Sequence, residues 1–193
     1  PEEYFKNPFL ELNASSNLPI YYKAVLQFPR VDYAESGASN GFHVNKSIRN
    51  IDGSQDIRVG DLVKVTIDIE KDKTGHSRRY RYIVIDDPLP AGLVAINSSI
   101  KTEEVVPEND EDSYTEDGAR VLVPSFQEIR DDRVLIFRDS NIWDGKYQYS
   151  YYARATTEGQ FVLPSTKAQL MYSPQVMGLT PKSIVNIKAS QIR

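Results

Sequence analysis

Cysteine is absent from this chain of 193 residues, which removes disulfides, thiolate metal sites and cysteine nucleophiles together. Histidine occurs only at His43 and His76, too few for a zinc site of ordinary type without carboxylate ligands. No apolar run approaches the ~20 residues that carry a helix across a bilayer. A strong excess of either charge is also missing. Lys and Arg number 23 against 27 Asp and Glu, a net charge of −4, so no general attraction to nucleic acid or an anionic membrane is expected. The opening residues, Pro1-Glu2-Glu3-Tyr4-Phe5-Lys6, form neither a signal peptide nor a lipid-attachment motif, which places any export signal outside these residues. No apolar stripe of helical period runs for a useful length, and no period of 20–50 residues repeats.

What is present favours strands: twelve Tyr and seven Phe, with many Val and Ile. In Leu62 to Glu70, the apolar Val63, Val65, Ile67 and Ile69 alternate with Lys64, Thr66, Asp68 and Glu70. Period two predicts one buried and one wet face in an antiparallel sheet. Polar residues 71–79 then read as a hairpin loop returning in Tyr80 to Asp86, and Asp87-Pro88-Leu89-Pro90-Ala91-Gly92 is expected to stop the pairing. Further strands are predicted at Leu93 to Ile96, Arg133 to Arg138, Lys146 to Ala155, Phe161 to Leu163 and Ala168 to Tyr172. Ile20 to Phe28 and Phe42 to Ile51 are weaker candidates. Trp143-Asp144-Gly145 reads as the turn joining the strands on either side of it, and Glu158-Gly159 as another. Many short strands with Gly and Pro turns predict an all-β antiparallel sandwich. Residues 1–19 read as a linker or the end of a preceding domain, 20–181 as the sandwich, and 182–193 as a C-terminal strand or tail. Residues 103–117 hold eight carboxylates and no basic residue, which predicts a solvated loop between strands.

Catalytic patterns are scarce. Gly37-Ala38-Ser39-Asn40-Gly41 fits the nucleophile elbow, but the elbow requires a helix after the serine, and Phe42-His43-Val44-Asn45 reads as strand. Asp110-Glu111-Asp112-Ser113-Tyr114 lacks the ligand spacing and central glycine of an EF-hand loop. Asp86 with Asp87, and Asp131 with Asp132, sit where aspartates accept local backbone hydrogen bonds at turns. No phosphate loop, dinucleotide fingerprint or zincin motif occurs. The expectation is therefore no catalytic residue, no metal and no cofactor. Two surfaces remain for interaction. Arg78, Arg79 and Arg81, near Lys71 and Lys73, form a basic hairpin tip that would also guard a sheet edge. Tyr147, Tyr149 and Tyr151 fall on one side of a strand, as cross-strand packing or as a sugar-stacking platform if exposed.

Several blocks taken together carry a resemblance. They are Ser39-Asn40-Gly41-Phe42-His43-Val44, Ile51-Asp52-Gly53, Arg58-Val59-Gly60-Asp61-Leu62-Val63 and Val84-Ile85-Asp86-Asp87-Pro88-Leu89-Pro90-Ala91-Gly92-Leu93. Glu128-Ile129-Arg130-Asp131-Asp132-Arg133-Val134, the run from Tyr151 to Phe161, and Met171-Tyr172-Ser173-Pro174 follow in order. Over about residues 20–180 the chain resembles the last macroglobulin-like domain of bacterial alpha-2-macroglobulins. The resemblance implies a β-sandwich at the position of the vertebrate receptor-binding domain. It further implies a structural module of a broad-spectrum endopeptidase inhibitor in the periplasm or cell envelope. Its partners would be neighbouring domains, including a thioester-bearing helical domain if one is present, and target proteases met through the whole protein. A thioester needs a cysteine, so none is expected within these residues. A surface-binding module for glycan or protein is the alternative from a different class.

Overall fold

The computed structural model describes residues 13, 15, 17–23, 36–72, 80–96 and 113–190. The chain divides into two compact units, Pro1–Arg30 and Val31–Arg193. In the first, Ile20 to Lys23 form no strand, and the rest of the segment expected as a strand, 24–28, lies outside the described residues.

Among its described residues the second unit has fourteen strands. They are β1 (Ala38–Asn40), β2 (Phe42–Asn50), β3 (Ile57–Arg58), β4 (Leu62–Lys71), β5 (Ile83–Pro88), β6 (Leu93–Ala95) and β7 (Arg120–Val121), then β8 (Phe126–Ile129), β9 (Arg133–Arg138), β10 (Lys146–Ala155), β11 (Gly159–Leu163), β12 (Lys167–Leu170), β13 (Ser173–Leu179) and β14 (Ser183–Lys188). One sheet has the order β1-β13-β12-β5-β9-β8; a second has β2-β4-β10-β6, with β7 also on β10. A three-stranded sheet, β11-β14-β3, adjoins them. Pairing is antiparallel except for the two-residue contacts of β7 with β10 and of β3 with β14. The all-β sandwich is thus the fold.

Alternation along the strands builds the core. Val63, Val65, Ile67 and Ile69 of β4 are wholly buried, and they face Ile83, Ile85, Val134 and Ile136 of the six-stranded sheet in one apolar cluster. Removing this much aliphatic surface from water is the main stabilising term, at about 25 cal/mol per Å².

The strands lie close to where the sequence puts them, but their pairing does not follow sequence order. Of the polar segment after β4, 73–79 lies outside the described residues, but the strands on either side of it do not pair as a hairpin, because β4 and β5 belong to different sheets. Likewise Trp143-Asp144-Gly145 carries the chain from β9 in one sheet to β10 in the other. Burying an apolar face on both sheets requires such crossings, since a β-sandwich shares its strands between layers. Two further expectations are corrected. Pairing runs through Asp87 and Pro88, which oppose Val134 and Arg133; proline is tolerated at the end of the strand, where little of the ladder is lost. Tyr80 forms only an isolated bridge with Ile142, and Tyr82, at φ 57°, breaks the extended backbone before β5 begins.

Candidate functional site

At the centre of the molecule the core is polar. Asp87 follows Ile83 and Ile85 in the inward parity of β5, so its carboxylate faces the interior and is wholly buried. Lys46 of β2, opposite Ile67, brings Nζ to 2.6 Å from Asp87 Oδ1, and it also donates to the Pro88 carbonyl at 3.0 Å. Tyr151 of β10 donates its hydroxyl to Asp87 Oδ2 at 2.6 Å, and Thr166 Oγ1 donates to Oδ1. One carboxylate therefore ties both sheets together through three hydrogen-bonding partners, one of them its buried ion-pair partner. Burial lowers the Lys46 pKa, with Asp87 opposing that shift. Burial and then the Asp87 charge push Tyr151 well above its ordinary value. Asp87 is thus not a turn cap. The parity of Ile83, Ile85 and Asp87, and of Val44, Lys46 and Ile48, is the sequence signal that marks both residues as inward.

The tyrosine row is internal, not a platform. Tyr147, Tyr149 and Tyr151 are at most 6% exposed, because they lie opposite Ile69, Ile67 and Val65 on the buried face. Their hydroxyls are satisfied inside the molecule. Tyr147 accepts from the Trp143 N–H at 2.9 Å, and Tyr149 donates to Gln127 Oε1 at 2.5 Å across the two sheets.

Of the basic tip, Arg78 and Arg79 lie outside the described residues, while Arg81 is exposed, with its guanidinium 5.1 Å from the centre of the Tyr82 ring. Lys71 belongs to the interior instead. It is 3% exposed, pairs with Asp144 at 2.7 Å and lies 4.8 Å from the centre of the Tyr80 ring. Ser39 sits in the middle of β1, between Gly37 and Gly41, both at positive φ. The strand β2 follows instead of a helix, so the local geometry of a nucleophile elbow is not present there. Of the acidic segment, 103–112 lies outside the described residues; 113–117 leads into a turn closed by the Gly118 N–H on the Thr115 carbonyl. Among the described residues no three His, Asp or Glu side chains are grouped as a metal site.

One exposed feature is built with unusual backbone geometry. Tyr82 occupies the left-handed region at φ 57°, a conformation that costs a non-glycine residue roughly 1–2 kcal/mol. Its carbonyl accepts from the Met171 N–H at 2.8 Å, and its ring meets Tyr172 edge-on at 5.2 Å. Met171 and Tyr172 form the turn between β12 and β13. Tyr172 is 79% exposed, Met171 47% and Tyr82 38%. Sequence reasoning expected residues 171 and 172 to continue a strand. The irregular register between Gln169 and Leu170 turns them outward, and no local pattern announces it.

Comparison with known proteins places these features. Residues 41–175 match the family described as the bacterial alpha-2-macroglobulin MG10 domain. An alpha-2-macroglobulin homolog from Nostoc is 26% identical over 185 residues, covering 89% of this chain and 9% of its own length. Salmonella alpha-2-macroglobulin reacted with methylamine superposes with a TM-score of 0.59 at 24% identity, over 80% of this chain and 10% of that one. Escherichia coli alpha-2-macroglobulin activated by porcine elastase gives a TM-score of 0.62 at 24% identity, over 79% and 14%. The chain thus spans about a tenth of the length of these relatives. The chain belongs to the bacterial alpha-2-macroglobulin family and carries its MG10 domain.

Proposed function

We propose that this chain is a non-catalytic structural module of an alpha-2-macroglobulin-type endopeptidase inhibitor, and that it docks on a neighbouring domain of its parent chain through Tyr82, Met171 and Tyr172. The observation that carries the reading is the strained Tyr82 backing an exposed aromatic turn. Strain of this kind persists only where the surrounding structure enforces it, and it concentrates at functional positions. Exposed aromatic side chains with an apolar body are the residues that anchor interfaces. The occupant follows from size: a chain that covers about a tenth of its relatives has neighbouring domains to meet. Target proteases are engaged by the whole inhibitor, since one sandwich of this size has no room to enclose a protease. Where the parent carries a thioester, the docked module keeps water from it. The periplasm or cell envelope of a bacterium is the compartment that goes with this reading, and fractionation of expressing cells tests it. The alternative as a glycan or protein binder rested in part on the tyrosine row, which is internal.

The test uses the parent inhibitor with Tyr82→Gly and Tyr172→Ala. Glycine relieves the backbone strain, so Tyr82→Gly leaves the melting temperature of the module unchanged or higher. Protease trapping, and free-thiol release where a thioester exists, should nevertheless change in both variants. Unaltered trapping and thiol kinetics overturn the docking role. Stoichiometric, saturable inhibition of a protease by the isolated chain overturns the modular one.

A further inference from the structure

The outer face of the five-stranded sheet carries a cluster of cations without acidic partners. Arg49 of β2 lies directly opposite Lys64 of β4, which lies opposite Tyr152 of β10. Arg154, two residues along β10 from Tyr152, points from the same face. Like charges placed directly opposite across a ladder destabilise it, so the pair requires a compensating group. None is supplied by the described residues. Arg49 donates only to the Gly53 carbonyl and Arg154 only to the Gly60 carbonyl, and Lys64 takes part in no ion pair. By contrast Arg58, Arg130, Arg133 and Lys188 each have a carboxylate within 3.2 Å. The uncompensated cluster is notable in a chain whose net charge is −4. A depression of about 280 Å³ beside it is lined by Arg49, Lys64, Tyr152 and the hydroxyls of Ser47 and Thr66.

We propose that Arg49 and Lys64, with Arg154 beside them, form a docking site for a short acidic polypeptide segment, whose carboxylates settle between the two cations while Ser47, Thr66 and Tyr152 offer hydroxyl donors. Two observations select this partner. Apart from Ile51, the side chains that line the depression are polar or charged, which argues against an apolar partner. Further along the same face of β4 stand Asp68 and Glu70, so a long polyanion following the strands would meet repulsion, whereas a segment with its carboxylates at one end would not. Guanidinium–carboxylate contacts are the strong, geometrically specific form of such pairing. This site is on the sheet that does not contain β5, β12 or β13, so it stands independently of the Tyr82–Tyr172 turn.

The experiment titrates the 193-residue chain with fluorescein-labelled hexaglutamate and follows anisotropy at low ionic strength. Saturable binding is expected, weakened as salt rises and the Debye length falls. Arg49→Gln combined with Lys64→Gln should reduce the affinity about tenfold or more, while Lys182→Gln in the β13–β14 connection leaves it unchanged. Lys64→Gln alone, which leaves the Arg49–Gly53 hydrogen bond in place, should melt at an equal or higher temperature, because it relieves the like-charge pair. Equal binding by the chain and the double variant overturns the proposal. So does binding that appears only after residues 103–112 are deleted, which would assign the cations to the chain's own carboxylates. A fall in melting temperature with Lys64→Gln overturns the claim that the cations are uncompensated.

Discussion

Asp87 shows what one residue does in this molecule. Its carboxylate is surrounded by the Lys46 ammonium and the hydroxyls of Tyr151 and Thr166, all buried with it. Asp87→Ala leaves the Tyr151 and Thr166 hydroxyls without an acceptor and the Lys46 ammonium without its counter-charge. A destabilisation of about 3–5 kcal/mol is expected from urea denaturation, the range found when one partner of a buried pair is removed. The double change Lys46→Met with Asp87→Leu removes both charges and should cost much less than either charge left alone. Alkaline pH probes the same centre. Tyr149 and Tyr151 are both held above their ordinary pKa of 10.0 chiefly by burial. Their contribution to stability is complete below pH 10.0 and is lost as pH rises through the folded values, because the unfolded chain gives up those protons first. Lys46 acts in the opposite sense. Its lowered folded value means that stability rises with pH in the interval beneath 10.5, and beyond that it contributes no slope. The alkaline loss above about pH 10.5 therefore belongs to the tyrosines, and Tyr149→Phe should flatten it in denaturant melts across that range.

At the scale of elements, strand identity and strand pairing separate. Period two marks β4 and β10 in the sequence with almost no error at their ends, since one face of each must be dry. Ile67→Ala, at the centre of β4, should cost about 2–5 kcal/mol through lost transfer and a residual cavity, read from the shift in denaturation midpoint. Pairing depends on partners remote in the chain. Gly178 of β13 makes one such approach: a Cβ there would lie 2.4 Å from the Phe42 carbonyl oxygen of β2 and 2.7 Å from Val44 Cγ2. Its φ is not in the left-handed region, so space alone requires glycine. Gly178→Ala should destabilise by about 1–3 kcal/mol through overpacking, without loss of β content by circular dichroism.

Across the second unit, β1 pairs with β13 and β5 with β12, so segments as far apart as Ala38 and Leu179 must be in place before the six-stranded sheet is complete. Contacts this distant in sequence mean slow folding, on the order of milliseconds to seconds, in line with other sandwiches. Stopped-flow refolding of the chain measures it. The sequence by itself determined the all-β class, the positions of the main strands, the inward set on β4 and the family, because these rest on local alternation and on ordered blocks of residues. It also excluded any thiol chemistry. Only the tertiary structure decided that β4 and β9 pass their successors to the opposite sheet, and that the tyrosine row is internal. It likewise decided that Asp87 meets Lys46 forty-one residues away, and that Arg49, Lys64 and Arg154 share one face. Each of these depends on which strands become neighbours. That choice is made by burying two apolar faces against each other, a condition on the whole chain that no window of local sequence contains.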